Sequence, residues 1–293
     1  MYEEIAANKR NTIILVAAFS VFIILLSWLM GELFISGGGF FGILLGFIFL
    51  VFFVAINYFY GTNIVLAISG AKEVQKSDYP YLFNTIEGLS IAAGIPKPKA
   101  YVINDTALNA FATGRDPEHS VIVVTTGILQ KLDRQELVGV LAHEMSHIKN
   151  YDIRLMMIVV VFVGLTALLS DLLLRSVLWG RDRREGRLGI ILLVAGIALA
   201  VLAPFIAILI KLAISRQREY LADASGAMLT RNPDGLASAL QKISGDKEVL
   251  EAANKATAHL YIDNPLKNRG SFFDGMFSTH PPIVERIERL RKM

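Results

Sequence analysis

The chain has 293 residues, 54% of them hydrophobic and 19% charged, with a mean hydropathy of +0.50. This is more apolar than one water-soluble domain requires, so the chain reads as an integral membrane protein with the lipid bilayer as a partner. The net charge of +3 and the pI near 9.0 do not indicate nucleic acid, because Lys and Arg flank hydrophobic runs and form no aromatic-laced stripe. The absence of cysteine excludes disulfides, thiolate metal ligands and cysteine nucleophiles, so any metal must be held by His and carboxylates.

Residues 1–71 read as an N-terminal membrane hairpin. The stretch from Asn11 to Gly31 carries no charge and matches the roughly 20 residues that cross a bilayer, giving a first span at 11–31. It follows Lys9 and Arg10 without a small-residue cleavage site, as an uncleaved anchor does. A second uncharged run extends from Leu33 to Ala71, turns at Gly37-Gly38-Gly39, and predicts a span at 40–60 with a helical continuation out of the bilayer.

Residues 72–154 carry the punctuation of a folded domain. Ser77 and Asp78 before Pro80 predict a capped helix that Gly94 and Pro96 stop. KAYVIND, ALNAFATG and SVIVVTTG then read as three short strands. Asp133, with Glu136 three residues on, predicts a capping box opening a helix that runs through LAHEMSHIKNYD at 141–152.

Residues 155–210 hold two more apolar runs, 155–170 and 188–210, separated by LWGRDRREGR. The second is of span length; the first reaches it only by including Asp171, so this hairpin either crosses twice or stops short. Residues 211–293 return to polar helical patterns in SRQREYLADASGAML, NPDGLASALQKI and PPIVERIERLRKM, and complete the domain begun at 72.

The chemistry lies in HEMSH at 143–147. Residues i and i+4 share a helix face, so His143 and His147 can present ring nitrogens to one ion about 2.0–2.1 Å from each. Glu144, one position round, sits beside that ion as a general base for water. Catalytic zinc takes a third protein ligand, which is His119, His259, His280 or a carboxylate. In EYLAD, Glu219 and Asp223 share a helical face, where the first can ligate and the second can hydrogen-bond a ligand histidine.

HEMSH at 143–147, SRQREYLADASG at 215–226, LNAFATG at 108–114 and FSTHPP at 277–282 together resemble the HtpX family of membrane zinc endopeptidases, relatives of the CAAX prenyl endopeptidases. The resemblance covers nearly the whole chain and departs at none of these positions. It implies a mainly α integral membrane protein whose zincin-like catalytic domain has a small β-sheet and an HExxH active-site helix. It implies one Zn2+ per chain on His143, His147 and Glu219, Glu144 as catalytic base and Asp223 as partner of a ligand histidine. It also suggests that Asn109, Ala110, Phe111 and Ala112 form an edge strand to which a substrate peptide adds as a further strand. His280 either caps the last helix or stabilises an oxyanion beside the zinc as a catalytic residue.

The implied activity is endopeptidase cleavage of membrane-protein or unfolded polypeptide substrates, in protein quality control at a bacterial or archaeal cell membrane. A prenyl-protein processing endopeptidase is the second reading, and a silent metal-binding scaffold or channel the third. Lys9 and Arg10 place the N-terminus inside, and two spans return the catalytic domain to the cytoplasmic side. Arg181, Arg183, Arg184 and Arg187 oppose the positive-inside rule if both later runs cross. The oligomeric state is not legible from the sequence.

Overall fold

The protein is described here as a computed structural model, covering residues 2–34, 37–179, 216–251, 253, 257–263, 265 and 281–293. Helices α1 (Tyr2–Phe34) and α2 (Gly39–Ile68) pack on each other, and the segments Ile5–Leu29 and Gly39–Ile68 are long and apolar enough to cross a membrane. Both helices overrun the spans expected at 11–31 and 40–60. The polar start of α1, with Asn8, Lys9 and Arg10, continues the helix because it packs on the rest of the protein.

The seam between α1 and α2 is made by small residues. A Cβ added at Gly42 would lie 2.1 Å from the Ser27 carbonyl oxygen, and one at Gly46 would lie 2.4 Å from Ser27 Oγ. The backbones therefore meet directly, as helices in lipid do where side-chain burial gives no driving force. Phe40, Phe52 and Phe59 stay largely exposed on the outer face, a pattern suited to hydrocarbon and not to water.

After α2 the chain forms β1 (Lys72–Glu73), α3 (Pro80–Ala93), β2 (Lys99–Ile103), β3 (Ala110–Gly114), β4 (Ser120–Thr125), α4 (Thr126–Lys131) and α5 (Arg134–Lys149). The three expected strands are present, joined by β1, whose two residues were too short to show in a pattern. The sheet runs β1-β2-β4-β3, parallel between β2 and β4 and antiparallel elsewhere, with Ala112 opposite Ile122. Helix α4 takes the residues expected to end the last strand, because Thr125 Oγ1 accepts the Ile128 amide and starts a helical turn.

The cap of α3 differs from expectation. Its N-cap is Tyr79 with no side-chain bond, whereas Asp78 accepts the Gln75 amide in the preceding turn. Gly94 ends α3 in the left-handed conformation at φ 68°, as expected.

Helix α6 (Asp152–Trp179) carries the apolar run at 155–170, and its first turns form core. Val159 and Val160 are fully buried, and Phe162 stacks on Phe19 of α1 at 4.0 Å between centroids. The charged loop from 180 and the run at 188–210 lie outside the described residues. Helices α7 (Arg216–Thr230), α8 (Pro233–Gly245) and α9 (Ile283–Leu290) then return to α5. A single core of Ile86, Ile122, Ile128, Val140, Leu141, Met145 and Leu240 joins α3, the sheet, α5 and α8.

Candidate metal centre

Helix α5 begins with the expected capping box: the Asp133 carboxylate accepts the Gln135 and Glu136 amides while Glu136 accepts the Asp133 amide. The helix then runs buried from Leu137 through Ile148 with the exception of Val138, so His143, Glu144 and His147 sit within the protein. Helix α7 meets α5 backbone to backbone: a Cβ at Gly226 would lie 3.1 Å from the His143 amide nitrogen. Glu219, Asp223 and Gly226 stand at i, i+4 and i+7, so the face that makes this approach also delivers both carboxylates to His143.

His143, His147 and Glu219 converge, each offering a ligand atom within 4.8 Å of the others, and all three are buried. The two Nε2 atoms are 3.1 Å apart; Glu219 oxygens lie 3.7 Å from Nε2 of His143 and 3.5 Å from Nε2 of His147. Asp223 stands 3.0 Å from Nδ1 of His143, and Asp152 stands 2.8 Å from Nδ1 of His147. A carboxylate at Nδ1 keeps the proton there, so in neutral rings both Nε2 atoms present lone pairs to one point.

Two lone pairs and a carboxylate facing one another repel unless a cation lies between them. Ligand atoms at about 2.0–2.1 Å from a tetrahedral ion stand roughly 3.3–3.4 Å apart, which the observed spacing matches closely. Charge agrees with geometry. Around the site, Glu144, Asp152, Glu219 and Asp223 are buried against the guanidiniums of Arg218 and Arg286. Four carboxylates and two guanidiniums leave two negative charges, which a divalent cation neutralises.

The electrostatics of the bare site report the same imbalance. Burial alone would lower the His147 pKa, but the Asp152 hydrogen bond and the charges of Glu219, Asp152 and Glu144 outweigh it and push it up to about 9. Burial pushes the Glu144 carboxyl up, opposed by His143 and His147, while the Ala112 backbone hydrogen-bonds it. Burial would also raise Asp223, yet Arg286 and His143 hold it below the usual carboxylate range.

Arg286 and Asp152 belong to this centre and were not identified from sequence. The Arg286 guanidinium grips Asp223 with two hydrogen bonds of 2.9 and 2.7 Å and lies 3.5 Å from Glu219 Oε2. Its signal was an arginine three residues into the last helix, after FSTHPP. Asp152 follows His147 by five residues, and its signal was the YD pair closing the motif stretch.

Among the alternatives for a third ligand, His119 is half exposed in a turn with Asp116, and the buried His259 places Nε2 3.3 Å from the Met156 carbonyl; neither joins the described cluster. His280 lies outside the described residues. Strand β3 is an edge strand lying over α5, but its side chains are buried. Asn109 ties loops together, donating to the Asp263 carbonyl, and Phe111 packs edge-to-face on Tyr261. Ala110 and Ala112 direct their main-chain groups outward, where the Ala110 carbonyl accepts the Ile262 amide and Ala112 bonds Glu144.

Comparison with known proteins identifies the family. Residues 76–293 match peptidase family M48. A protease HtpX homolog from Dictyoglomus thermophilum is 53% identical over 298 residues, covering 100% of this chain and 94% of the relative. One from Tropheryma whipplei is 44% identical over 297 residues, covering 100% and 98%. The crystal structure of Ste24p from S. mikatae shares the fold with a TM-score of 0.50 at 18% identity, over 99% of this chain and 66% of that one.

Proposed function

This chain belongs to peptidase family M48 and is a membrane metalloendopeptidase, and we propose that it works through one zinc ion held by His143 Nε2, His147 Nε2 and the Glu219 carboxylate. The observation that carries the reading is the buried convergence of those three side chains beside Glu144. Zinc held there would supply a Lewis acid that lowers the pKa of water towards neutrality and polarises a carbonyl.

The chain's own groups do the rest. Glu144 takes a proton from the attacking water as oxygen bonds to the scissile carbonyl carbon. It returns that proton to the nitrogen as the C–N bond breaks, so a carboxylic acid and an amine leave, and the acid's remaining proton passes to the amine or to solvent. Burial, which favours the protonated carboxyl, brings its affinity for protons towards that of its task. Asp152 and Asp223 keep the ligand rings turned, and Arg286 fixes Asp223.

The edge position of β3, which passes beside Glu144 at Ala112, supports strand addition as the mode of substrate binding, with Asn109, Ala110, Phe111 and Ala112 forming that strand. Such recognition tolerates many sequences and suits clearance of damaged membrane proteins and unfolded chains. The two apolar helices and the charges of Lys9 and Arg10 support a cell-membrane location with the catalytic body, 72–154 and 211–293, on the cytoplasmic side.

The test separates base from ligand in the full-length protein in detergent. Glu144→Gln is expected to keep about one zinc per chain by elemental analysis while cleavage of an unfolded substrate falls by at least roughly 10²-fold. Glu219→Ala is expected to lose most of the metal. Full proteolysis by the first variant, or stoichiometric zinc in the second, sinks the corresponding role.

A further inference from the structure

The polar start of α1 reaches the metal centre. Asn8 is 2% exposed, and its amide nitrogen donates to Asp152 Oδ1 at 2.5 Å and to the Asn150 carbonyl at 3.0 Å. Its amide oxygen accepts from Arg218 Nη1 at 3.0 Å. The other oxygen of Asp152 is the one 2.8 Å from His147 Nδ1. One continuous chain of bonds therefore runs from Arg218, beside Glu219 in sequence, through Asn8 and Asp152 to the His147 ring.

The turn that carries Asp152 depends on the same residue. Between α5 and α6 the backbone reverses at Tyr151, which holds φ at 62°, a left-handed conformation that a bulky side chain seldom adopts. Such a conformation persists only where its surroundings enforce it. Here Asn8 bonds the carbonyl immediately before the turn, and Lys9 lies over the Tyr151 ring at 4.3 Å.

We propose that Asn8, in the first membrane helix, is a positioning residue for the metal centre, holding the Asp152 carboxylate in the orientation that aligns His147. The inference rests on the reading of His147 as a ligand. An amide is the group this position requires, because it must donate to a carboxylate and accept from a guanidinium at once. Asp152 Oδ1 and Arg218 Nη1 stand 4.0 Å apart across Asn8. Without the amide between them the carboxylate can turn onto the guanidinium and away from the imidazole. An aspartate would keep the acceptor for Arg218 but set a like charge against Asp152. The N-terminal helix is thus part of the catalytic machinery's scaffold as well as an anchor.

The test uses the full-length protein in detergent and reads the metal itself. Zinc affinity is measured by competition with a chelator, and ligand geometry by the visible spectrum of the Co2+-substituted protein. Asn8→Ala and the isosteric Asn8→Asp are each expected to weaken zinc about 10-fold, the low end for loss of a ligand's hydrogen-bonding support, and to shift the Co2+ bands. Leu15→Ala loosens α1 in its buried cluster of Leu15, Phe19 and Phe162 without touching this network, and is expected to change neither. Parental affinity and spectrum in both Asn8 variants overturn the proposal, as does an equal loss in Leu15→Ala. His147→Ala distinguishes the two levels: if it keeps parental affinity the ligand reading fails, whereas loss of zinc there with none at Asn8 overturns only the positioning role.

Discussion

The N-terminal helix pair and the metal centre both bring helices into close contact, but what holds each contact differs. Between α1 and α2 the contact is made by what is missing: Gly42 and Gly46 leave room for the Ser27 backbone and side chain, and the Glu32 carboxylate enters only at the turn, where it accepts the Gly39 amide. Between α5, α7 and α9 the close approach at Gly226 is joined by charge: Arg286, fully buried, ties Asp223 and Glu219 of α7 beside His143 of α5. A seam of small residues is tolerant of where along it the helices act, whereas a buried ion network has few acceptable arrangements. The first suits an anchor and the second a site that must hold ligand atoms in place.

The comparison is broken most severely at Arg286. Replacing it by Ala leaves Asp223 and Glu219 buried without their guanidinium, and removal of one partner from a buried pair costs about 3–5 kcal/mol. Arg286→Ala is expected to lower the melting temperature strongly, and Arg286→Lys to recover only part, since an ammonium cannot span both Asp223 oxygens. Arg289, three residues on, is the control: it is half exposed, pairs with Glu285 on the surface and lies over the Tyr220 ring at 3.8 Å, so its loss is expected to lower the melting temperature much less. Equal shifts in melting temperature for the two arginines would show that the buried network does not hold the helices.

The seam is tested next. Gly42→Val forces a branched side chain onto the Ser27 carbonyl, where even a Cβ has no room, and overpacking of this kind costs typically about 1–3 kcal/mol. The expected outcome is a lower melting temperature with about one zinc still bound per chain, because the damage lies far from the ligands. Loss of zinc in this variant would mean that hairpin and metal centre are coupled throughout and not through Asn8 alone.

These two regions also differed in how much of them the sequence disclosed. Two long uncharged runs suffice to foretell two long apolar helices. The capping box at Asp133 and Glu136, the spacing of His143 and His147, and the shared face of Glu219 and Asp223 are all local, fixed by 3.6 residues per turn. What stayed hidden joins distant residues: Asn8 and Asp152 are 144 positions apart, and Arg286 and Asp223 are 63 apart. Asp152 was near the motif in sequence, but its role depends on the reversal at Tyr151, which periodicity does not foresee. The edge position of β3 follows from sheet order, and the Ile262 amide on Ala110 from a chain reversal with no pattern of its own.

The smallest effect is expected at the far end of α5, where charge and capping meet. Burial would raise the Glu136 pKa, but Lys242 at 2.7 Å, Ser238 at 2.6 Å and the Asp133 amide outweigh it and hold the carboxyl below its ordinary 4.5. A carboxyl depressed in the folded state stabilises it fully above the unfolded value, and that stabilisation disappears as pH falls through the lower folded value. Lys242 is nearly half exposed, so solvent screening limits the contribution to about 1 kcal/mol. Glu136→Gln is therefore expected to melt a few degrees below the parent near pH 7, and the gap is expected to close as pH falls through the depressed folded value, where the parent carboxyl also becomes neutral. Melting curves of both proteins across that range decide the matter: a gap of constant size would assign Glu136 to shape and hydrogen bonding, and would remove charge from the account of how α8 is held on α5.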